Sequence, residues 1–484
     1  MEFSCFLTVG ETLSRDPSRL AVCLLVFLAS ATPRAIGAPV DGESERPNVL
    51  FIVADDWNDW NSVLDGYPKP HPPNLDRLAA RSVTFSQAYC SSPVCNPSRT
   101  AVMFGRRASS TGVYNNEQFM RDAPVLAGAD TIPQVFMKQG YRSLTAGKIF
   151  HWYKNSASDP QSWHEQFAYD FWSPRPENRD HEVVPAIRWG PLDIPDDAMP
   201  DMQVARWSAE KLQDDYPDGF FLAAGIFRPH GPWYVPRRYF DLYPLGDIVL
   251  PEVNPADLED VPPVARNIAL ENKRRFTDIL RHGAWREGVQ AYLASISFAD
   301  ACLGRILDAL DRSPHADNTL VVFWTDHGWH LGEKLTWTKW KLWEESIRSN
   351  LMISVPGNPH NGSRSERPVS LLDIYPTLIE LADLPEKSAL DGRSLVPLLE
   401  DPNAEWRYPV LINRDLGQHA VRSERFNYIR YENGSEELYD HQIDPMEWTN
   451  LADDPVYAEI KERLRQHLPE SEHPHIKEDF DSHL

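Results

Sequence analysis

Apolar residues along this chain fall into short unbroken runs that end in charged residues, and stretches of helical spacing lie between them. Val49-Leu50-Phe51-Ile52-Val53-Ala54 has no polar interruption and is β-branched at Val49, Ile52 and Val53, the pattern of a strand buried on both faces. It ends in Asp55-Asp56. Leu320 to Trp324 repeats the pattern and leads into Thr325-Asp326-His327-Gly328, and Phe220 to Gly225 leads into Phe227-Arg228-Pro229-His230-Gly231-Pro232. Pro73 to Arg81, Thr131 to Gly140, Met202 to Leu212 and Gln290 to Ser313 carry apolar residues at helical spacing between plausible caps. Alternation of this kind predicts the α/β class, with a large, mainly parallel sheet sandwiched by helices. Ligands of such folds bind beyond the carboxyl ends of the strands, so the polar groups that close each run are expected to converge. Segments 171–199 and 244–285 are rich in Pro, Asp and Arg and are read as surface loops.

The last part of the chain changes character. Leu371 to Ala382 predicts a helix, and Leu390 to Leu395 leads into a short one. Brief strands follow at Val410–Asn413, Ala420–Arg422, Phe426–Tyr431 and Glu437–Asp440, with an Asn433-Gly434 turn, and a final helix spans Pro455 to His467. The expected organisation is a main domain over 46–400 and a C-terminal α+β subdomain over 401–484, a small antiparallel sheet with one helix.

Residues 1–38 stand apart. Arg15 and Arg19 precede the apolar run Leu20 to Ala29, and small residues follow, which reads as a secretory signal peptide. The chain is therefore expected to be exported, to a periplasm, the outside or a lysosome-like compartment. No other run reaches membrane-spanning length, so stable membrane insertion is not expected. The 484 residues carry 48 basic against 71 acidic side chains, a net charge of −23, which argues against nucleic-acid partners. Any attraction for an anionic substrate must be local. Past the signal only Cys90, Cys95 and Cys302 remain, too few for a disulfide scaffold; Cys90 and Cys302 either pair or stay as buried thiols.

Cys95-Asn96-Pro97-Ser98-Arg99 opens a predicted helix that closes at Gly105-Arg106-Arg107, with Asn96 as the N-cap and Pro97 at the first helical position. Cys95 is then expected just ahead of a helix N-terminus, a position that lowers a thiol pKa and favours an anion. The plainer alternative is a buried structural cysteine. A lone thiol there is a liability in an oxidising compartment unless it is used or chemically altered.

These residues resemble the type I sulfatase family of the alkaline phosphatase superfamily. Cys95-Asn96-Pro97-Ser98-Arg99 with Gly105-Arg106 is similar to its C-x-P-S-R…T-G-R signature, with Phe104 where threonine is usual. Asp55-Asp56, Gly147-Lys148, Pro229-His230, Asp326-His327-Gly328 and Lys339 are similar to its other motifs and occur in the same order. Within the family, Gly147-Lys148-Ile149-Phe150-His151, Arg228-Pro229-His230, Asp326-His327-Gly328-Trp329 and Trp337-Thr338-Lys339 most resemble iduronate-2-sulfatase-like members. Sulfatases of algal polysaccharides share many of these features.

The resemblance implies an alkaline phosphatase-like fold and the conversion of Cys95, by a formylglycine-generating enzyme, to formylglycine. One oxygen of its hydrated aldehyde attacks sulfur; the other later loses its proton and expels sulfate. Asp55, Asp56, Asp326 and His327, with the group at position 95, are the implied ligands of one divalent cation. The carboxylates suit Ca2+, while the His327 nitrogen leaves Mg2+ and Mn2+ open. Arg99 is implied to hold the diol, and Lys148 and Lys339 to face the sulfate oxygens. His151 and His230 are candidates for diol deprotonation and leaving-group protonation, with the two roles exchangeable. Arg228 is a candidate for a uronate carboxylate, with a surface salt bridge as the plainer alternative. Trp57, Trp152, Trp329, Trp337 and Trp340 flank these motifs as candidates for stacking on sugar rings or for packing. The expected function is removal of sulfate from a sulfated oligo- or polysaccharide. The alternatives are a phosphodiester or phosphonate hydrolase of the same superfamily and an inactive carbohydrate-binding relative.

Overall fold

Asn48–Asp55 lies inside a nine-stranded mixed sheet in the computed structural model, which describes residues 46–151, 159–167, 174–175, 188–271, 276–387 and 389–478. The proposed signal segment lies outside the described residues. Across the sheet the strands run Arg364–Ser370, Val83–Tyr89, Leu351–Ser354, Thr319–Thr325, Asn48–Asp55, Phe220–Pro229, Arg142–Gly147 and Glu165–Phe167. Leu351–Ser354 is antiparallel to both neighbours, and the short Arg348–Ser349 pairs antiparallel with Val83–Tyr89; the other pairs are parallel.

Successive side chains of a strand face opposite ways. Val49, Phe51 and Val53 accordingly pack into a core with Val102 and Met103 of the Cys95–Phe104 helix, while Leu50, Ile52 and Ala54 pack on the other face with the Trp285–Asp311 helix. Both faces are covered, which is why the runs are unbroken rather than alternating. Cys90 belongs to the first core and Cys302 to the second; both are buried free thiols.

The C-terminal strands Val410–Asp415, Gln418–Arg422, Phe426–Arg430 and Glu436–Asp440 form an antiparallel sheet in sequence order, with Gly434 in the left-handed conformation (φ 84°) at the last turn. Leu464 of the Ala458–Arg465 helix packs with Val421, Tyr428 and Leu438.

The two segments read as loops are partly regular. Trp189–Leu192 pairs with Trp233–Pro236 as a two-stranded parallel sheet, and Pro263–Leu270 and Phe276–Arg281 are helices. Tertiary packing overrides their weak local signal: Trp189 stacks on Trp233 with ring centroids 6.1 Å apart, and Ala265, Ile268 and Ala269 are buried. No helix among the described residues is long and apolar enough to cross a membrane.

Candidate active site

Two neighbouring strands end side by side. In the register of the sheet Ala54 pairs with Thr325, so the next residues on each strand are Asp55 and Asp326. Asp56 would face away from Asp55 if the strand continued. Its left-handed backbone (φ 62°) breaks the alternation, a conformation that Asp tolerates better than most residues. The Tyr292 hydroxyl holds that turn by donating to the Asp56 carbonyl (2.6 Å) and accepting from the Asn58 N–H (3.0 Å). Asp326 Oδ1 accepts the Asp56 N–H at 3.1 Å, tying the two strand ends together.

The helix that opens on Cys95 spans Cys95–Phe104 and is buried along its whole length. Its cap differs from expectation. Val94 is the N-cap and Cys95 the first helical residue, and the Asn96 side chain is used elsewhere: its NH2 donates to the carbonyls of Asn115 (2.8 Å) and Gln118 (2.6 Å), and its Oδ1 accepts from Thr100 Oγ1 (3.3 Å). The helix mouth is also poorer in donors than the spacing predicts. The Asn96 N–H donates to Asn116 Oδ1 and Pro97 has none. Gly105 ends the helix in the left-handed conformation, as expected.

Position 95 sits amid the predicted ligands. Its Sγ lies 3.5 Å from Asp55 Oδ1 and 3.4 Å from His327 Nε2, and accepts from Lys339 Nζ at 3.0 Å. His151 hydrogen-bonds the same thiol. Burial pushes the Cys95 thiol up, but Lys148, Lys339 and His327 outweigh it and hold it well below its ordinary value. One donor atom each from Asp55, Cys95, Asp326 and His327 lie within 4.8 Å of one another, and so do those of Asp55, Asp56, Cys95 and His230.

The donor set fits a hard divalent cation. Three carboxylates converge, and Asp56 Oδ2 is buried without a hydrogen-bond partner. His327 Nδ1 lies 3.1 Å from the Gly328 carbonyl, which can only accept, so Nδ1 carries the proton and Nε2 is free for a cation. Burial disfavours a charged His327, yet Asp326 raises its pKa to about 8; Asp326 itself rises to about 6, through burial. Burial and Cys95 push Asp55 up, and Lys148, His230 and Arg99 more than reverse this.

Arg99 is fully buried and faces these carboxylates. Its Nε donates to Asp326 Oδ2 at 2.8 Å, NH2 lies 3.6 Å from Asp55 Oδ1, and NH1 donates to the carbonyls of Lys148 and Ile149. Both lysines also turn to carboxylates, Lys148 to Asp55 Oδ2 and Lys339 to Asp56 Oδ1. His230 Nε2 is 3.8 Å from Asp56 Oδ2, and its Nδ1 lies 2.7 Å from the Gly231 carbonyl, which fixes the tautomer as before. Burial lowers the His151 pKa to about 4.

Arg228 stands apart from its expected role. It is fully buried, with NH1 and NH2 donating to the carbonyls of His230 (3.2 Å) and Tyr234 (3.4 Å), so it supports the loop carrying His230. Trp57, Trp329 and Trp337 are buried core residues, Trp340 is half-buried, and Trp152 lies outside the described residues. Sequence reasoning assigned no role to Tyr292 or Ser98. Ser98 stands in the quoted Cys95-Asn96-Pro97-Ser98-Arg99 motif and Tyr292 in the helix predicted from Gln290 to Ser313, and the Ser98 hydroxyl donates to the Asp326 carbonyl at 2.6 Å.

Residues 47–384 match the sulfatase family, and residues 332–473 match N-sulphoglucosamine sulphohydrolase, C-terminal. The chain belongs to the sulfatase family. It is 37% identical to a sulfatase of Formosa agariphila, over 89% of this chain and 88% of that one. It is 30% identical to choline-sulfatase of Rhizobium meliloti (85% and 83%) and 31% identical to iduronate 2-sulfatase of Mus musculus (70% and 69%). The phosphonate monoester hydrolase of Agrobacterium radiobacter shares the fold, with a TM-score of 0.71 at 25% identity over 87% of this chain and 96% of that one.

Proposed function

We propose that the protein is an exported, formylglycine-dependent sulfatase that removes sulfate from a sulfated carbohydrate, in the manner of iduronate-2-sulfatase-like relatives. The convergence of Cys95 with Asp55, Asp326 and His327 at the strand ends carries this reading. A formylglycine at position 95 supplies a nucleophilic oxygen, and a divalent cation held by Asp55, Asp56, Asp326 and His327 supplies the charge that makes a poor nucleophile competent.

The chain's own residues do the rest. Arg99, sealed among Asp55, Asp326 and two carbonyls, fixes position 95 and its ligands in one arrangement. Lys148 and Lys339 bring two ammoniums to the nucleophile, where they offset the negative charge of a sulfate group. With Asp55 and Asp56 engaged as ligands, both lysines would be released for that task. His151, kept neutral by burial, accepts a proton at position 95. His230, partly exposed and with Nε2 turned into the site, would donate from that nitrogen to the leaving sugar oxygen in the ring form that carries a proton on both nitrogens. Iduronate 2-sulfatase among the relatives supports a glycosaminoglycan-like substrate, and an algal polysaccharide is the second substrate in view.

Peptide mass spectrometry of the protein from its native host tests the nucleophile: an aldehyde in place of the Cys95 thiol is expected, and only unmodified thiol in active enzyme would overturn it. Paired assays on aryl sulfate and aryl phosphonate test the reaction, with sulfate expected to dominate.

A further inference from the structure

Two cations meet where the loop after Lys339 touches the C-terminal sheet. Trp340, half-buried, is held in the left-handed conformation (φ 68°), which costs a bulky residue about 1–3 kcal/mol. Specific contacts enforce it. Its N–H donates to the carbonyl of Pro93, two residues before the nucleophile, at 2.9 Å. Its indole N–H donates to the Arg414 carbonyl (3.1 Å), Arg414 Nε donates to the Trp340 carbonyl (3.0 Å), and the guanidinium carbon lies 4.8 Å from the Trp340 ring centroid. The Asn413 N–H donates to Ser91 at 2.8 Å, so the strand that carries Arg414 is fastened to the nucleophile loop.

Arg414 NH1 donates to Gln418 Oε1 at 2.6 Å, and among the described residues NH2 has only the exposed Glu271, 3.8 Å away. Lys341, two residues after Lys339, is 3% exposed and makes no hydrogen bond or ion pair among the described residues. Its ammonium is nevertheless not among the buried groups sealed from solvent. Burial and the Arg414 charge lower its pKa to about 7. Two desolvated like charges without a buried counter-ion oppose folding, and an apolar side chain would pack there at less cost.

We propose that Lys341 and Arg414 form a subsite for a second anionic group of the saccharide, a carboxylate or a further sulfate, beside the group that is hydrolysed. The proposal rests on the sulfatase reading and narrows its substrate. An anion there meets open donors on both cations, Lys341 Nζ and Arg414 NH2. The same charges disfavour a quaternary ammonium such as choline. In a chain of net charge −23 this is local attraction of the kind an anionic substrate requires.

The test compares wild type with Lys341→Met, Lys341→Arg and Arg414→Gln. The substrates are an aryl sulfate, a monosulfated saccharide bearing a uronate carboxylate, and a saccharide bearing two sulfates. Lys341→Met and Arg414→Gln are expected to cut the kcat/KM ratio of doubly to singly anionic substrate at least about ten-fold, mainly through KM. Lys341→Arg should keep that ratio within about three-fold of wild type. The thermal midpoint of Lys341→Met should hold or rise, since an unpaired buried charge is removed. Whichever dianionic substrate shows the loss identifies the group as carboxylate or sulfate. An unchanged ratio in active enzyme, or an equal loss on every substrate with a lowered midpoint, would overturn the subsite. A wild type inactive on all sulfate esters would instead overturn the proposed function, and the subsite with it.

Discussion

The Sγ of Cys95 lies 3.4 Å from Nε2 of His327, although 232 residues separate them in the chain. One stands at the start of a buried helix and the other just past a central strand. Cys95→Ala should therefore remove turnover, by on the order of 10⁴-fold or more, while leaving the fold and substrate binding intact. Single-turnover assays together with circular dichroism check this, and a variant that lost fold and activity together would not support a nucleophilic role.

Cation affinity should rise with pH. His327 has its pKa raised to about 8, so below that pH the cation must displace a proton from it, costing about ten-fold in affinity per pH unit. The slope should steepen near pH 6, where Asp326 also holds a proton. Calcium titrations of chelator-treated protein between pH 5.5 and 8.5 measure it, and His327→Asn should flatten the upper part of the curve.

Lys339→Met separates two properties that a structural role would move together. Lys339 is ion-paired to Asp56 and donates to Cys95, so its removal frees a carboxylate and also takes a charge from the nucleophile. Cation binding should tighten while kcat/KM falls about 10²- to 10³-fold. Calorimetric titration and steady-state kinetics on the same preparation give both numbers.

Stability should fall on mild acidification through His330. This residue is fully buried, with Nδ1 2.9 Å from Ser346 Oγ, and burial followed by Lys341 lowers its pKa from 6.5 to about 3. A depressed pKa makes its contribution complete above pH 6.5, and it is lost progressively as pH falls toward 3. By pH 5 the loss is about 2 kcal/mol. Urea midpoints at pH 7 and pH 5 should converge for wild type and His330→Asn as the pH drops.

Gly225 lies against the backbone that carries Lys148: a Cβ there would stand 2.2 Å from the Lys148 carbonyl oxygen and 2.5 Å from its nitrogen. Gly225→Ala should cost about 1–3 kcal/mol or more and depress activity by displacing Lys148. Gly246→Ala, with nothing within 4 Å, is the control expected to leave both unchanged. Thermal midpoints and kcat/KM of the two variants make the comparison.

Much of the scaffold was legible in the chain. Strands buried on both faces write themselves as unbroken apolar runs, so Asn48–Asp55, Phe220–Pro229 and Thr319–Thr325 were located together with the polar groups at their ends. The small sheet was legible from its turn residues. Local pattern failed where a side chain had a distant partner. Asn96 has the chemistry of an N-cap, but the loop at Asn115 and Gln118 takes its amide. Arg228 was read as facing substrate or solvent, yet a string of residues carries no mark of the carbonyls of His230 and Tyr234 that enclose it. The tryptophans beside the motifs gave no sign of which way they point; Trp57, Trp329 and Trp337 point inward.

The sequence by itself determined the class of fold, the order of its elements and the set of polar groups delivered to the strand ends, because period and burial follow from composition at short range. Tertiary structure decided how those groups pair. The left-handed turn at Asp56 brings two adjacent carboxylates to one side, Lys148 and Lys339 settle on those carboxylates, and Arg414 of the C-terminal sheet is fastened to Trp340, the residue before Lys341. Pairing energies between charges depend on distance and desolvation, and both exist only once remote parts of the chain are packed together.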